Sequence, residues 1–470
     1  MNTTILPRTL SRRQFIGALS VAVPGLCWAG DPSKGAPSLR MGVMSDSHVT
    51  TNPATLEPLR RAFAYMAAQN VDIVLHAGDI CDRGTMDELE LVMQTWHACF
   101  RNGRNAAGGE VVPFFVFGNH DYRPGSPSDT SEERARLICR NKDAAWRLIC
   151  GESFPGEVFA RTVKGFTFVG THWRHEGDIA DWFKAHVPAA DRPVFHVRHP
   201  HPWHTCFGDW APCEKAGWAE LMRHPNLFAI SGHSHISVGD NRSIWQGGFV
   251  SMGAGSSSCP SHGRRKEYEN GNPKQPWPEG EFRHMPAAAS GDGWQVSIIE
   301  VRPDDVTVIR RELHHDESLG EDWHVPFPFR HDAQHPYLLA DAAAAPEFPP
   351  AAQIRVREVK GKRRPDGLQE RQFRVLAPAA HGTTPHARAL AYHFTVLEAA
   401  TGRKVLERYT LQDGITVSEA RACQRPCWCA FAWTDLPENV SLKVRIEPLN
   451  ASWRAGRPIE SAPFVRPSES

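Results

Sequence analysis

The residues able to do chemistry come in five short groups: Asp46-Ser47-His48, Gly78-Asp79, Gly118-Asn119-His120-Asp121, His199, and Gly232-His233-Ser234-His235. Each group stands at the end of an apolar run that reads as a buried strand. The clearest run is Val111 to Phe117, which stops at Gly118 and gives way at once to three polar side chains. In an α/β sheet such strand ends open into the ligand crevice. A lone Gly-Asn-His-Asp would suit a tight turn equally well, but five strand ends of this kind point to one shared site. Imidazole and carboxylate together suit iron, manganese or zinc. Phosphate ester cleavage needs charge neutralised on the phosphoryl oxygens and a water activated in line with the leaving group. Two metal ions close together supply both, and one carboxylate can bridge them. The pairs Asp46 with His48 and His233 with His235 have i, i+2 spacing, so both members leave the strand on one side and can face one ion.

The elements that must position these groups alternate regularly. Strand runs at Leu39 to Met44, Val71 to His76 and Val111 to Phe117 are separated by helical periodicity over Thr55 to Gln69 and Met86 to Phe100. This βαβαβ order implies a parallel sheet. A helix is expected over Glu132 to Ile149, a hairpin over Phe159 to Trp173 turning at Lys164-Gly165, and short helices over Asp178 to His186 and Glu214 to Arg223. Strands are expected at Val194 to Val197, Leu227 to Ser231 and Ser243 to Met252, then a hairpin of Trp294 to Val301 with Val306 to Leu313. Ser256 to Gly293 is rich in Gly, Pro and charge and reads as a long insertion over the site. A Pro- and Ala-rich stretch over 331–352 reads as a linker. Beyond it the pattern turns to alternating strands, such as Ala391 to Leu397, Lys404 to Leu411 and Val440 to Ile446, which suit a small β-sandwich.

The chain has 470 residues, too many for one ordinary domain. Lys and Arg total 53, as do Asp and Glu, so no net field favours nucleic acid or an anionic membrane surface. Ser11-Arg12-Arg13-Gln14-Phe15-Ile16 resembles a twin-arginine export motif. An apolar run too short to span a bilayer follows, with cleavage expected after Ala29. The expected course is passage through the twin-arginine translocase to the periplasm, without stable membrane insertion. An exported chain can oxidise its remaining cysteines, so disulfides are expected, with buried free thiols the alternative for Cys81, Cys99 and Cys139.

The ordered set Asp-x-His, Gly-Asp, Gly-Asn-His-Asp, His, Gly-His-x-His resembles the calcineurin-like metallophosphoesterase family over roughly residues 38 to 315. The resemblance implies a two-sheet α/β sandwich flanked by helices (αββα), here followed by a small all-β domain. It implies that Asp46, His48 and His235 bind one metal and Asn119, His199 and His233 a second, with Asp79 bridging. It also implies that His120 lies beside the scissile phosphate and that Asp121 orients it. The fourth block is often His-His-Pro in that family. Here Arg198-His199-Pro200-His201 offers two histidines, of which His199 better fits the strand end. Asp82-Arg83, Thr171-His172-Trp173 and Tyr122 stand near strand ends as possible substrate contacts. The stretch from Arg310 to Trp323 resembles exported bacterial members with a C-terminal accessory domain, and Val440 to Ile459 resembles the last strands of a fibronectin type III-like module. The expected organisation is a signal peptide over 1–29, a catalytic domain over 36–330, a linker over 331–352 and a β-sandwich over 353–470. The expected activity is hydrolysis of phosphodiesters or monoesters by a metal-activated water, with Fe, Mn or Zn as cofactor and a small phosphate ester as substrate. The alternatives are a pyrophosphatase acting on sugar or lipid pyrophosphates, a single-metal hydrolase such as an amidase, and a non-catalytic binding protein.

Overall fold

The computed structural model describes residues 35–173, 179–187, 191–203, 205–206, 218–260, 293–330, 344–363, 369–384, 387–412, 414, 416–451 and 453–466. The expected signal peptide, Cys213, most of the expected insertion and residues 331–343 of the expected linker lie outside them.

Strands β1 (Leu39–Met44), β2 (Ile73–Ala77) and β3 (Val112–Val116) run parallel. Helix α1 (Leu56–Ala68) follows β1 and buries Leu59, Phe63 and Met66. Helix α2 (Met86–Cys99) follows β2 and opens on a capping box. Thr85 Oγ1 accepts from Glu88 N, and the Glu88 carboxylate accepts from Thr85 N. The helix expected over Glu132 to Ile149 is broken instead into α3 (Ser131–Ala135), a 3-10 turn (Ile138–Arg140) and α4 (Lys142–Cys150). Leu137 leaves helical geometry, at φ −70° and ψ 137°, and its backbone bridges to Thr85 ahead of α2. Asn141 Nδ2 donates to the carbonyls of Ala135 and Leu137 at the break.

The hairpin of β4 (Val158–Val163) and β5 (Phe166–Thr171) leads through α5 (Ile179–His186) to β6 (Val194–Arg198). Helix α6 (Trp218–Leu221) is what the described residues hold of the helix expected over Glu214 to Arg223. Then come β7 (Leu227–Ser231), β8 (Ile244–Gln246) and β9 (Val250–Gly253), and the second sheet has the order β4-β5-β6-β7-β9-β8. The chain returns to the first sheet with β10 (Gln295–Val301), antiparallel to β1, then β11 (Asp305–Glu312), β12 (Glu317–Ser318) and β13 (Trp323–Pro326). Both sheets are therefore mixed.

Adjacent residues of a strand face opposite ways, and β3 shows how this layers the domain. Phe114 meets Phe159 and Phe168 of the second sheet, with ring centroids 4.9 and 5.8 Å away. Phe115 meets Trp96 of α2 at 5.7 Å and Phe63 of α1 at 6.4 Å. One core thus fills the space between the sheets, and α1 and α2 cover the first sheet from outside. On the other side, Ile179 and Phe183 of α5 pack on Val169, Val194 and Leu227 of the second sheet. The result is the metallophosphoesterase α/β sandwich that the sequence led us to expect.

The described residues of the C-terminal region are β apart from a short helix and a 3-10 turn (Trp433–Asp435). Its strands are β14 (Arg355–Arg363), β15 (Gln369–Ala377), β16 (Ala391–Glu398), β17 (Lys404–Leu411), β18 (Cys427–Ala432), β19 (Ser441–Leu449), β20 (Ile459–Glu460) and β21 (Phe464–Val465). The helix is α7 (Glu419–Ala422), between β17 and β18. Sheets β14-β15-β18 and β17-β16-β19-β20 bury Val375 and Phe431 against Phe394 and Val444 in a core of their own. Part of the expected linker belongs to this core: Glu347 exchanges backbone bonds with His381, and Phe348 is buried in it. The expected disulfides are absent among the described residues, where all nine cysteines are free. Cys81, Cys206, Cys427 and Cys429 are buried.

Candidate metal centre

The loops after β1 and β2 stay paired beyond the strands. Asp46 N donates to the Gly78 carbonyl and His48 N to the Asp79 carbonyl. Asp46, His48 and Asp79 therefore reach one point above the sheet edge, and their donor atoms lie within 4.8 Å of one another. His235 enters from the second sheet, its Nε2 3.1 Å from both Asp46 Oδ1 and His48 Nε2. A second group forms beside the first. His199 Nε2 lies 3.2 Å from Asp79 Oδ2, 3.0 Å from Asn119 Oδ1 and 3.2 Å from His233 Nδ1. Asp79 belongs to both groups. Donors held about 2.1 Å from one ion at right angles stand about 3 Å apart, so the spacing fits two ions sharing the Asp79 carboxylate.

The backbone bends to make this arrangement. Asp46, His48, Asp79, His233 and His235 all have positive φ, between 43° and 71°. Non-glycine residues rarely adopt this region, and strain there concentrates at functional sites. Gly118 allows the third loop to close in: a Cβ on it would stand 2.2 Å from Asp79 Oδ1.

Hydrogen bonds fix which ring nitrogen of each histidine faces inward. His199 Nδ1 donates to the Ala77 carbonyl at 2.7 Å, and His235 Nδ1 donates to the Cys259 carbonyl at 3.1 Å. A carbonyl only accepts, so each Nδ1 carries the hydrogen and each Nε2 is left for an ion. In the metal-free protein the site is strongly charged. Burial works against the Asp46 carboxylate, yet His235, His199 and His48 hold it well below the usual range. Burial likewise opposes Asp79, and His199 lowers it. Burial also disfavours a charged His199, but Asp79 and then Asp46 raise it to about 9. His235 is raised by Asp46 against the same penalty.

Every one of the seven proposed metal-binding residues converges here. Asp121 does not do what the resemblance implied. Its carboxylate is buried and accepts from the backbone N–H groups of Ile80, Cys81 and Gly118 at 3.1, 2.9 and 2.8 Å. It clamps the second and third loops together, and the His120 ring turns elsewhere. His120 Nδ1 donates to the Asp82 carbonyl at 2.7 Å, with Asp82 Oδ1 3.6 Å away, and the ring packs edge-on against His48 at 4.6 Å. Asp82 thus takes the role expected of Asp121. His201 bonds Ser231 Oγ through Nδ1 at 2.5 Å, leaving His199 in the cluster. His172 lies inside an aromatic cluster of Phe117, Phe154 and Phe159, and the Tyr122 hydroxyl donates to Glu157, so neither faces the site. Trp173 does, with its ring 5.2 Å from His233 and 5.7 Å from His199. Cys259 went unread in the sequence: its Sγ lies 3.2 Å from His235 Nδ1.

Residues 39–237 match the family model of the calcineurin-like phosphoesterases. The match spans 199 of the 470 residues, from β1 to just beyond the last of the proposed ligands. Both donor groups that share Asp79, Asp46 with His48 and His199 with His233, lie within the matched residues. A search of curated proteins returned no match. Among solved structures, the chain is similar to a purple acid phosphatase from yellow lupin (Lupinus luteus) seeds, at 13% identity and a TM-score of 0.41. That similarity covers 62% of this chain and 55% of the lupin chain. An archaeal phosphodiesterase is similar at 12% identity over 62% of this chain and all of its own, with a TM-score of 0.24. A predicted phosphoesterase from Streptococcus pneumoniae is similar at 14% identity over 61% of this chain and 97% of its own, with a TM-score of 0.25. No helix among the described residues is long and apolar enough to cross a membrane.

Proposed function

We propose that the chain hydrolyses small phosphate esters, diesters or monoesters, at two ions shared through Asp79. Asp46, His48 and His235 would hold one ion and Asn119, His199 and His233 the other. The observation that carries this reading is the position of Asp79, whose carboxylate belongs to both donor groups. Two ions bound there would supply charge neutralisation for the phosphoryl oxygens and a water acidified for attack. The chain's own residues do the rest. Asp121 locks the Asp79 and Asn119 loops to each other through three backbone bonds. His120 has its Nδ1 hydrogen committed to the Asp82 carbonyl, so Nε2 is the atom able to hand a proton to the leaving oxygen. Trp173 walls the side of His199 and His233. A single-ion hydrolase or a non-catalytic binder would leave Asn119, His199 and His233 converging beside the first group without a use. The C-terminal sheets are read as an accessory module like fibronectin type III.

We place the protein in the periplasm on the twin-arginine motif alone. Arg12→Lys with Arg13→Lys would leave unprocessed precursor inside the cell, and normal export of that variant would exclude the route. Activity is tested on metal-loaded protein with bis(p-nitrophenyl) phosphate, p-nitrophenyl phosphate and pyrophosphate. Chelator-sensitive hydrolysis of at least one ester is expected. Protein that binds two ions and cleaves none of the three would contradict the reading.

A further inference from the structure

Gln295 opens β10 as a fully buried side-chain amide among neighbours that are mostly apolar. Its side chain uses each of its functions. Nε2 donates to Ser237 Oγ and to the backbone carbonyl of Thr416, both at 2.8 Å, and Oε1 accepts from Val238 N at 2.9 Å. Ser237 and Val238 follow His233 and His235 on the same loop. The Gln295 main chain reaches the Asp46 loop: its N–H donates to the Ser256 carbonyl, and Ser256 Oγ donates to the carbonyl of Asp46. One residue therefore joins the Asp46 loop, the His233-to-His235 loop and a segment of the C-terminal sandwich.

That segment is itself held from both sides. Arg388, within the C-terminal domain, donates to the carbonyls of Gly414 and Val417. Ser418 and Arg421 bond Glu317 on β12 of the catalytic domain, the latter at 2.8 Å. Close packing at the junction has a second sign. Gly293, at φ 86°, lies so near Thr416 that a Cβ on it would stand 2.4 Å from the Thr416 carbonyl. None of these residues belongs to a donor group of the centre, so their common effect is on where the His235 and Asp46 loops sit.

From this we infer that Gln295 is a positioning residue through which the C-terminal domain holds the metal-binding loops, so that the accessory sandwich is part of the support of the metal centre. The inference rests on the dinuclear reading above. Gln295 bonds no ligand side chain: it holds the loop two and three residues beyond His235, one bond further out than the direct partner of a ligating histidine, whose loss costs about 10–100-fold in metal affinity, so the lower end of that range is expected.

The test uses the full chain loaded with manganese and titrated with a chelator, reading bound metal per chain. Gln295→Leu removes all three side-chain bonds. Gln295→Glu keeps the acceptor for Val238 N and loses both donors. Ser418→Ala with Arg421→Ala loosens the Thr416 segment by removing its bonds to Glu317, with no residue of the catalytic domain substituted. Both Gln295 variants should lose their first ion at chelator concentrations at least about tenfold below those for the wild type, and the double variant at about threefold below. The unfolding temperature of each metal-free variant is measured beside it. A residue that only stabilises the fold lowers that temperature and leaves the chelator threshold of the folded protein in place. Wild-type thresholds in both Gln295 variants would overturn the positioning role. A wild-type threshold in the double variant alone would overturn the part given to the C-terminal domain. A wild-type chain that binds no ion would instead overturn the dinuclear reading, and this is seen before any variant is made.

Discussion

Metal affinity should climb steeply with pH, well past the point where an ordinary histidine has lost its proton. The cause is His199. Burial penalises its charged form, but Asp79 and Asp46 outweigh that penalty and raise it to about 9 in the metal-free protein. Its Nε2 is the atom turned toward Asp79, Asn119 and His233, so an ion can enter only after that proton leaves. At pH 7 that proton is still firmly held, which costs roughly 3 kcal/mol, or about 100-fold in apparent affinity. Apparent affinity should therefore rise about tenfold per pH unit from His199 alone, and about 100-fold between pH 6.5 and 8.5. His235, also raised, adds to the slope for the other ion. The assay is competition against a chelator of known proton and metal affinity at constant ionic strength. An affinity that levels off near pH 7 would refute the reasoning, because an unperturbed imidazole titrates at about 6.5. The metal-free chain should show the opposite trend. A raised histidine stabilises the fold fully below about pH 6.5, and that stability is lost as pH rises through about 9. Asp46 and Asp79, held low, stabilise it above about pH 4 and stop doing so in acid.

Further outcomes are expected at residues that do not touch the ions. His120→Ala should lose about 10²–10⁴-fold in kcat/KM on alkyl or nucleoside esters and far less on nitrophenyl esters, whose leaving group needs no proton. Equal losses on both, with both ions retained, would leave His120 as an electrostatic contact only. Gly118→Ala forces a methyl group onto Asp79 Oδ1 and should cut bound metal below two ions per chain while the fold persists by circular dichroism. Full metal content in that variant would show that the third loop can retreat at no cost to the site. Asp121→Ala strips the acceptor from three buried backbone N–H groups and should destabilise the chain by about 1–3 kcal/mol per donor left unmet. Denaturant unfolding checks it, and an unchanged midpoint would mean that water replaces the carboxylate.

The parts of this molecule legible in the sequence were those that local pattern decides. An apolar run followed by a metal donor can be read residue by residue, and all seven proposed ligands meet in the fold. Strand β17 falls at Lys404–Leu411, where alternation alone placed it. What could not be read depended on partners far along the chain. The break at Leu137 comes with a bridge to Thr85, 52 positions earlier, and periodicity carries no trace of it. Asp121 follows His120 directly and invites pairing with it, yet its partners are backbone groups of other loops, which no side-chain pattern records. The positive φ values at five of the proposed ligands were equally hidden, since Asp and His give no glycine-like signal. Gln295 did leave one: a glutamine at the head of a mostly apolar strand is a polar group that burial obliges to find partners.

The central claim is that one carboxylate serves two ions, and metal content measured together with turnover tests it most directly. Purified, metal-loaded wild-type protein should hold two ions per chain, measured by mass spectrometry of the metals. Asp79→Ala should fall to one or none and lose hydrolysis of every ester the wild type cleaves. Two ions retained by Asp79→Ala, with near-wild-type turnover, would contradict the claim.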